Sequence, residues 1–157
     1  MVTEQAEPLV LEPDEQDLLL RELDDYVAAL PEVRQEAYRP LLESVQAGRV
    51  PPESLAALGE LLALSLMSGR ARRRYTAEGE RILTALFRRT PLGRSVSAQL
   101  AQVNKALQAL QGRPLTSVRV SMRTLGHFTL NITAGGAAVT LTFRPQGVEV
   151  ESLTVGG

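Results

Sequence analysis

The hydrophobic pattern of this chain changes its period once, near Pro114, and this change constrains the fold more than any other feature. Before that point apolar residues recur every three or four positions, as in helices. After it they alternate with polar residues, as in strands that have one buried face. The sequence therefore predicts an α+β protein, with about five helices followed by a C-terminal four-stranded antiparallel β-meander that helix covers on one face.

Proline, glycine and capping residues predict where the helices begin and end. We predict helices at 13–30, from Pro31 with a break at Pro40, at 52–68, from Thr76 as N-cap, and from Ser95 to about Gln111. Leucines lie almost all round the helix at 52–68, so we expect it to be the central buried helix. Residues 70–75 are thereby placed between two helices.

Turn residues predict how the four strands pair. Gly135 and Gly136 suit a two-residue hairpin, because both central positions of the favoured turn need positive φ. That turn pairs Phe128 with Phe143. A loop at 124–126, with a left-handed Gly126, pairs Met122 with Phe128, so both turns align the same apolar face. At 145–147 a three-residue loop would put Val148 on the polar face, and we expect a different loop length there.

We divide the chain into an acidic N-terminal tail, 1–12, and a single α+β domain, 13–157, with a helical part at 13–112 and the β-meander at 115–155. No apolar run approaches the ~18 residues that span a bilayer. The N-terminus is acidic and lacks the basic start and apolar run of a signal peptide. These features lead us to expect a cytoplasmic protein without a membrane partner.

Few residues are available for catalysis. The chain has one histidine, His127, and no cysteine, which argues against a thiol nucleophile or a zinc site. His127 falls on the polar side of a predicted strand, far in sequence from any carboxylate that would orient it. Neither a phosphate-binding glycine loop nor a dinucleotide fingerprint occurs. We therefore expect a non-enzymatic protein with no catalytic residues, no cofactor and no metal.

Charge is divided unevenly along a chain whose net charge is only −1. Residues 1–60 hold 14 acidic and 4 basic residues, a balance of −10. Residues 61–157 hold 13 basic and 4 acidic residues, a balance of +9. Such asymmetry indicates either a charged partner or one half of the chain neutralising the other.

Arginines clustered at 70–94 are the strongest candidates for binding an anion or a partner. The candidates include arginines of this cluster, the adjacent tyrosine and two arginines of the predicted sheet. They are Arg70, Arg72, Arg73, Arg74, Tyr75, Arg88, Arg89, Arg94, Arg119 and Arg123. Arginine guanidinium groups form bidentate hydrogen bonds with carboxylates and phosphates, and an adjacent tyrosine can stack on a base.

Three hypotheses account for this cluster. In the first, the arginines pair with the chain's own acidic helices. In the second, they bind a protein partner or a second copy, and the protein is an interaction module or homo-oligomer with complementary acidic and Arg-rich surfaces. In the third, they bind nucleic acid. We adopt the interaction module as the functional hypothesis. The alternative is a nucleic-acid-binding protein that uses residues 70–94 and the polar face of the sheet. Contact between the first acidic helix and residues 70–74 would indicate internal pairing.

Overall fold

The structure, a computed structural model, describes residues 7–156 and confirms the predicted α+β class. The chain forms two compact units, the first ending at Arg94 and the second beginning at Ser95. The elements are, in chain order, β1 (Leu9–Val10), α1 (Pro13–Ala28), α2 (Glu32–Gln35), a 3-10 turn (Glu36–Tyr38), α3 (Arg39–Gln46), β2 (Arg49–Val50), a second 3-10 turn (Pro52–Ser54), α4 (Leu55–Met67), α5 (Arg70–Arg88), α6 (Pro91–Gln108), β3 (Leu115–Thr124), β4 (His127–Ala134), β5 (Ala137–Arg144) and β6 (Gly147–Val155). Of the tail predicted at 1–12, residues 1–6 lie outside the described residues, and Leu9 and Val10 form β1.

The first unit has a leucine-rich core built mainly from α1, α4 and α5. Leu19 and Leu23 of α1, Leu58 and Leu62 of α4, and Leu83 of α5 are all fully buried in it. As predicted, α4 buries residues on most of its circumference, although Leu64 remains 53% exposed. The short strands β1 and β2 pair antiparallel and bring the start of the described chain onto this core.

The prediction that residues 70–75 connect two helices is wrong. These residues are helical, and α5 begins at Arg70. Arginine is a good helix former, and Gly69, with φ +68, ends α4 and immediately precedes the new helix. A helical stretch does start after Thr76, as predicted, because the φ of 64 and ψ of −177 at Thr76 are not helical and α5 consists of two helical stretches that meet there.

The helix predicted from Ser95 begins at Pro91. Thr90 supplies the cap instead of Ser95, because its Oγ1 accepts a hydrogen bond of 3.2 Å from the backbone N–H of Gly93. A Cβ at position 93 would collide with the carbonyl oxygen of Phe87, so only glycine allows this tight start.

The second unit holds an antiparallel sheet in the order β3-β4-β5-β6, with the predicted register. Met122 pairs with Phe128, and Phe128 with Phe143. The loop predicted at 124–126 is shorter than expected, because Thr124 pairs with His127 and a bulge between Met122 and Thr124 takes up the extra residue. Gly135 and Gly136 both have positive φ, as the predicted hairpin requires. The last turn has two central residues, 145 and 146, so Val148 pairs with Phe143 on the apolar face and the expectation of a different loop length is confirmed.

Helix α6 packs on the apolar face of this sheet but covers only part of it. Its buried residues Val103 and Ala106 contact a core made with Val139, Leu141 and Val148 of β5 and β6. Towards β3 the cover ends, and all ten residues of β3 are exposed. Within residues 7–156, no helix is both long and apolar enough to cross a membrane.

Candidate functional site

Two arginines at the start of α5 face the acidic helix α1. The Nε of Arg70 lies 3.5 Å from Glu22 Oε1, and its guanidinium donates a hydrogen bond of 3.1 Å to Asp25 Oδ2. Arg74 forms an ion pair with the same carboxylate of Asp25. Glu22 is only 1% exposed, so Arg70 compensates a charge that α1 carries into the core. The contact between the acidic helix and residues 70–74 is therefore made within one chain.

Tyr75 belongs to the same internal group. Its hydroxyl is buried, and burial, together with the interaction with the Glu22 carboxylate, raises the pKa of Tyr75. The Arg74 guanidinium lies over its ring, 5.5 Å from the centroid. A ring that is half-buried and already contacts an arginine is poorly placed to stack on a nucleotide base.

Two arginines near the junction of α5 and α6 also contact the chain itself. Arg89 donates to both carboxylate oxygens of Glu15, at 2.8 and 2.9 Å, and to the carbonyl oxygen of Val10. Arg94 donates to the carbonyl oxygen of Arg89 at 3.0 Å. The bonds of Arg89 join the end of α5 to the start of α1, so Arg89 stabilises the first unit.

Three candidates in the first unit remain largely on its surface. Arg72 is 73% exposed and lies 3.9 Å from Glu80, a contact worth little in water. Arg73 and Arg88 are exposed, and neither has an ion pair with another residue in the range 7–156. The candidates of the first unit thus fall into two groups. Arg70, Arg74 and Arg89 form ion pairs with α1, whereas Arg72, Arg73 and Arg88 are exposed to solvent.

The two candidates on the sheet, Arg119 and Arg123, lie on β3 and point to its polar face. Arg123 lines a shallow hollow of about 620 Å³ together with His127 and Arg144. Arg144 lies 3.5 Å from Glu149, and Glu151 accepts a hydrogen bond from Thr142 nearby. The hollow is therefore of mixed charge, and it is separate from the arginine cluster in sequence and in unit.

The most distinctive surface was not among the predicted candidates. Five apolar side chains on the face of the sheet that carries α6 are between 39% and 65% exposed: Val118, Val120, Met122, Phe128 and Phe143. Strand pairing makes them contiguous, because Met122 lies beside Phe128 and Phe128 beside Phe143. We call this set the open corner. Contiguous exposed apolar surface of this kind marks interaction sites in folded proteins.

The described residues offer no cluster suited to metal binding, since no group of three or more histidine or carboxylate side chains comes together among them. A scan against protein-family models and searches of curated proteins and of solved structures found no match to this chain. The functional argument therefore depends on the surfaces themselves.

Proposed function

We propose that this is a non-enzymatic, cytoplasmic protein-interaction module, and that the open corner of its C-terminal sheet is the contact surface. The observation that carries the proposal is the exposure of five contiguous apolar side chains on one face of the sheet, at positions where the sequence alternates as for a buried face. Full burial of an exposed apolar side chain contributes about 1.5–3 kcal/mol, so a partner that buries these half-exposed side chains gains roughly half of that for each one.

The arrangement of charge supports an apolar rather than an ionic contact. Arg70, Arg74 and Arg89, which the charge asymmetry suggested as partner-binding residues, hold carboxylates of α1. An external acidic partner would have to displace these contacts. An apolar partner on the open corner displaces only water.

Site-specific photo-crosslinking tests this proposal. A photoreactive phenylalanine analogue replaces Met122 in the full chain, and control proteins carry it at Ser121, on the other face of the same strand, or at Arg73. In the cells that normally make the protein, we expect a discrete protein–protein crosslink from position 122 that Val120→Glu abolishes. Crosslinks from position 73 alone, or from none of the three positions, would overturn the proposal.

The polar hollow favours one alternative function, binding of nucleic acid. Arg123, Arg144 and His127 line one concavity, where a phosphate would find two guanidinium groups. Fluorescence anisotropy with labelled single- and double-stranded oligonucleotides at low salt tests it. Binding that weakens with salt and with Arg123→Ala supports this alternative, and absence of binding at low salt eliminates it.

A further inference from the structure

Space on the sheet suggests what occupies the open corner. Strands lie about 4.8 Å apart, so four strands present a face roughly 15–19 Å wide, whereas one helix with its side chains is about 10 Å across. Helix α6 therefore leaves room for one more helix on the same face. At the end of this face where β3 begins, the uncovered surface continues as a groove of about 480 Å³ between Leu107 and Leu110 of α6 and the facing Leu115 and Ile132.

The outer surface of α6 has the composition of a covered helix. Residues 95–112 contain a single charged side chain, Lys105. Away from the sheet the helix exposes Ala98, Ala101, Gln102, Lys105 and Gln108, and Leu100 on its flank is 47% exposed. Solvent-facing helices ordinarily carry charges on that side, as α1 does with Asp14, Asp17 and Asp24. The neutral residues on this side of α6 can be buried with little cost of desolvation, and the long side chain of Lys105 can keep its ammonium group in water at the edge of an interface.

Each chain thus has one weakly polar helix and one apolar half-sheet with room for such a helix. We propose that the occupant of the open corner is α6 of a second copy of this chain. The second units pack apolar face to apolar face about a two-fold axis, and the two α6 helices lie side by side between the two sheets. Each helix then covers the open corner of the other copy. This inference rests on the proposed function, because it names the partner of the same surface.

The area available is sufficient for such a pair. Five side chains of this size, about half exposed, present roughly 500 Å², and the outer side of α6 adds a few hundred more, which together approach the ~800 Å² per partner of a standard interface. The apolar face also carries no charge that would have to be buried. Along the four strands its residues are all hydrophobic, and the arginines and glutamates of β3 and β6 alternate onto the opposite face.

Pairing of strand edges is a less suitable way to join two copies. In an antiparallel pair of β3 strands, Arg119 and Arg123 of both copies would lie on one face, where like charges oppose. Joining β3 to β6, which carries Glu149 and Glu151, would match opposite charges. That contact is head-to-tail, however, and it leads to rings or open chains rather than a closed dimer.

Sedimentation equilibrium of the full chain over a range of concentrations tests the inference. The wild-type protein is expected to approach twice its 17.0 kDa mass. Met122→Glu, on the open corner, and Ala101→Glu, on the outer side of α6, are each expected to weaken the dimer by more than tenfold. Ser121→Glu is the matched control, because it places the same charge on the same strand but on the opposite face, and it is expected to leave the dimer intact. Circular dichroism establishes that each variant is folded; position 122 is already 61% exposed, so a charge there is tolerated by the monomer.

Three results would overturn the proposed dimer. They are a monomer at every concentration up to about 100 μM, well above the micromolar range of standard-size interfaces; a dimer that neither Met122→Glu nor Ala101→Glu weakens; and a series of larger oligomers, which would indicate pairing of β3 with β6. The crosslinking experiment separates these failures from failure of the proposed function. If the chain is monomeric and position 122 still crosslinks to a different protein, the interaction module stands and the second copy is excluded as its partner.

Discussion

The two units of the chain differ in how completely they bury their apolar side chains and pair their charged ones. The first unit buries a large leucine core and turns its central arginines onto the carboxylates of α1. The second unit places equally hydrophobic residues on one face of a sheet and covers only part of that face. The comparison shows that conspicuous charge in a sequence can be used internally, whereas ordinary alternating valines and phenylalanines can form the surface that is available to a partner.

The largest expected difference between the units concerns truncation of apolar side chains. Leu62→Ala in the first unit removes a fully buried side chain and is expected to lower the free energy of unfolding by about 3–5 kcal/mol. Met122→Ala in the open corner is expected to lower the free energy of unfolding by less than about 1 kcal/mol, because an exposed side chain makes few packing contacts that truncation could remove. Urea denaturation at low protein concentration, where association does not contribute, measures both. Equal losses would mean that the open corner is covered within the chain.

The sequence was sufficient for the sheet because alternation and turn chemistry are local. Gly135 and Gly136 determine one register and Val148 constrains the last turn, without knowledge of any distant contact. Alternation identifies which face of a strand is apolar, but it contains no information on how far a helix extends over that face. The open corner was therefore missed, although the single charge in residues 95–112 was a signal that could have pointed to it.

The partners of the arginines could not be predicted for a related reason. Arg70 meets Asp25 across 45 positions, and Arg89 meets Glu15 across 74. Such contacts depend on how α1 and α5 pack against each other, and the clustering of arginines in the sequence does not predict that packing. The sequence analysis places residues 70–75 between two helices, whereas the arginines among them favour helix and extend α5 back to Arg70.

A second, smaller difference is expected within the arginine cluster. Arg70→Ala leaves the buried Glu22 without its guanidinium, and we expect a loss of about 2–4 kcal/mol in the free energy of unfolding. Arg73→Ala changes an exposed neighbour on the same helix and is expected to change it by less than about 0.5 kcal/mol. Thermal and urea denaturation of the two variants make the comparison. Similar small effects in both would show that the cluster is not engaged internally.

The smallest expected effect is at alkaline pH, in the tyrosine pair of the first unit. The hydroxyls of Tyr26 and Tyr38 lie 3.3 Å apart and share a hydrogen bond. This hydrogen bond is the larger cause, and burial the next, of a rise in the pKa of Tyr38 from its ordinary value of 10.0 to about 12. The folded state then holds this proton more tightly than the unfolded state, so its contribution to stability is complete below pH 10 and is lost as the pH rises towards 12.

The variant Tyr38→Phe isolates this contribution. We expect its free energy of unfolding to fall less steeply between pH 10 and pH 12 than that of the wild type. Part of the slope remains, because the pKa of Tyr75 is also raised. Urea titrations at several pH values measure the slopes. An identical pH dependence in both proteins would show that the Tyr26–Tyr38 hydrogen bond does not hold the proton.

The central claim, that this chain makes its contacts through an apolar corner and uses its principal arginines internally, is tested most directly by the salt dependence of self-association. Sedimentation equilibrium is carried out with the wild-type chain at about 0.05 M and about 0.5 M sodium chloride, across which the screening length falls from above 10 Å to about 4 Å. The account predicts a dimer that is unchanged or tighter at the higher salt, because apolar contacts are not screened. A dimer that weakens tenfold or more at the higher salt would instead show that the acidic and Arg-rich surfaces join the two copies, and would contradict the account.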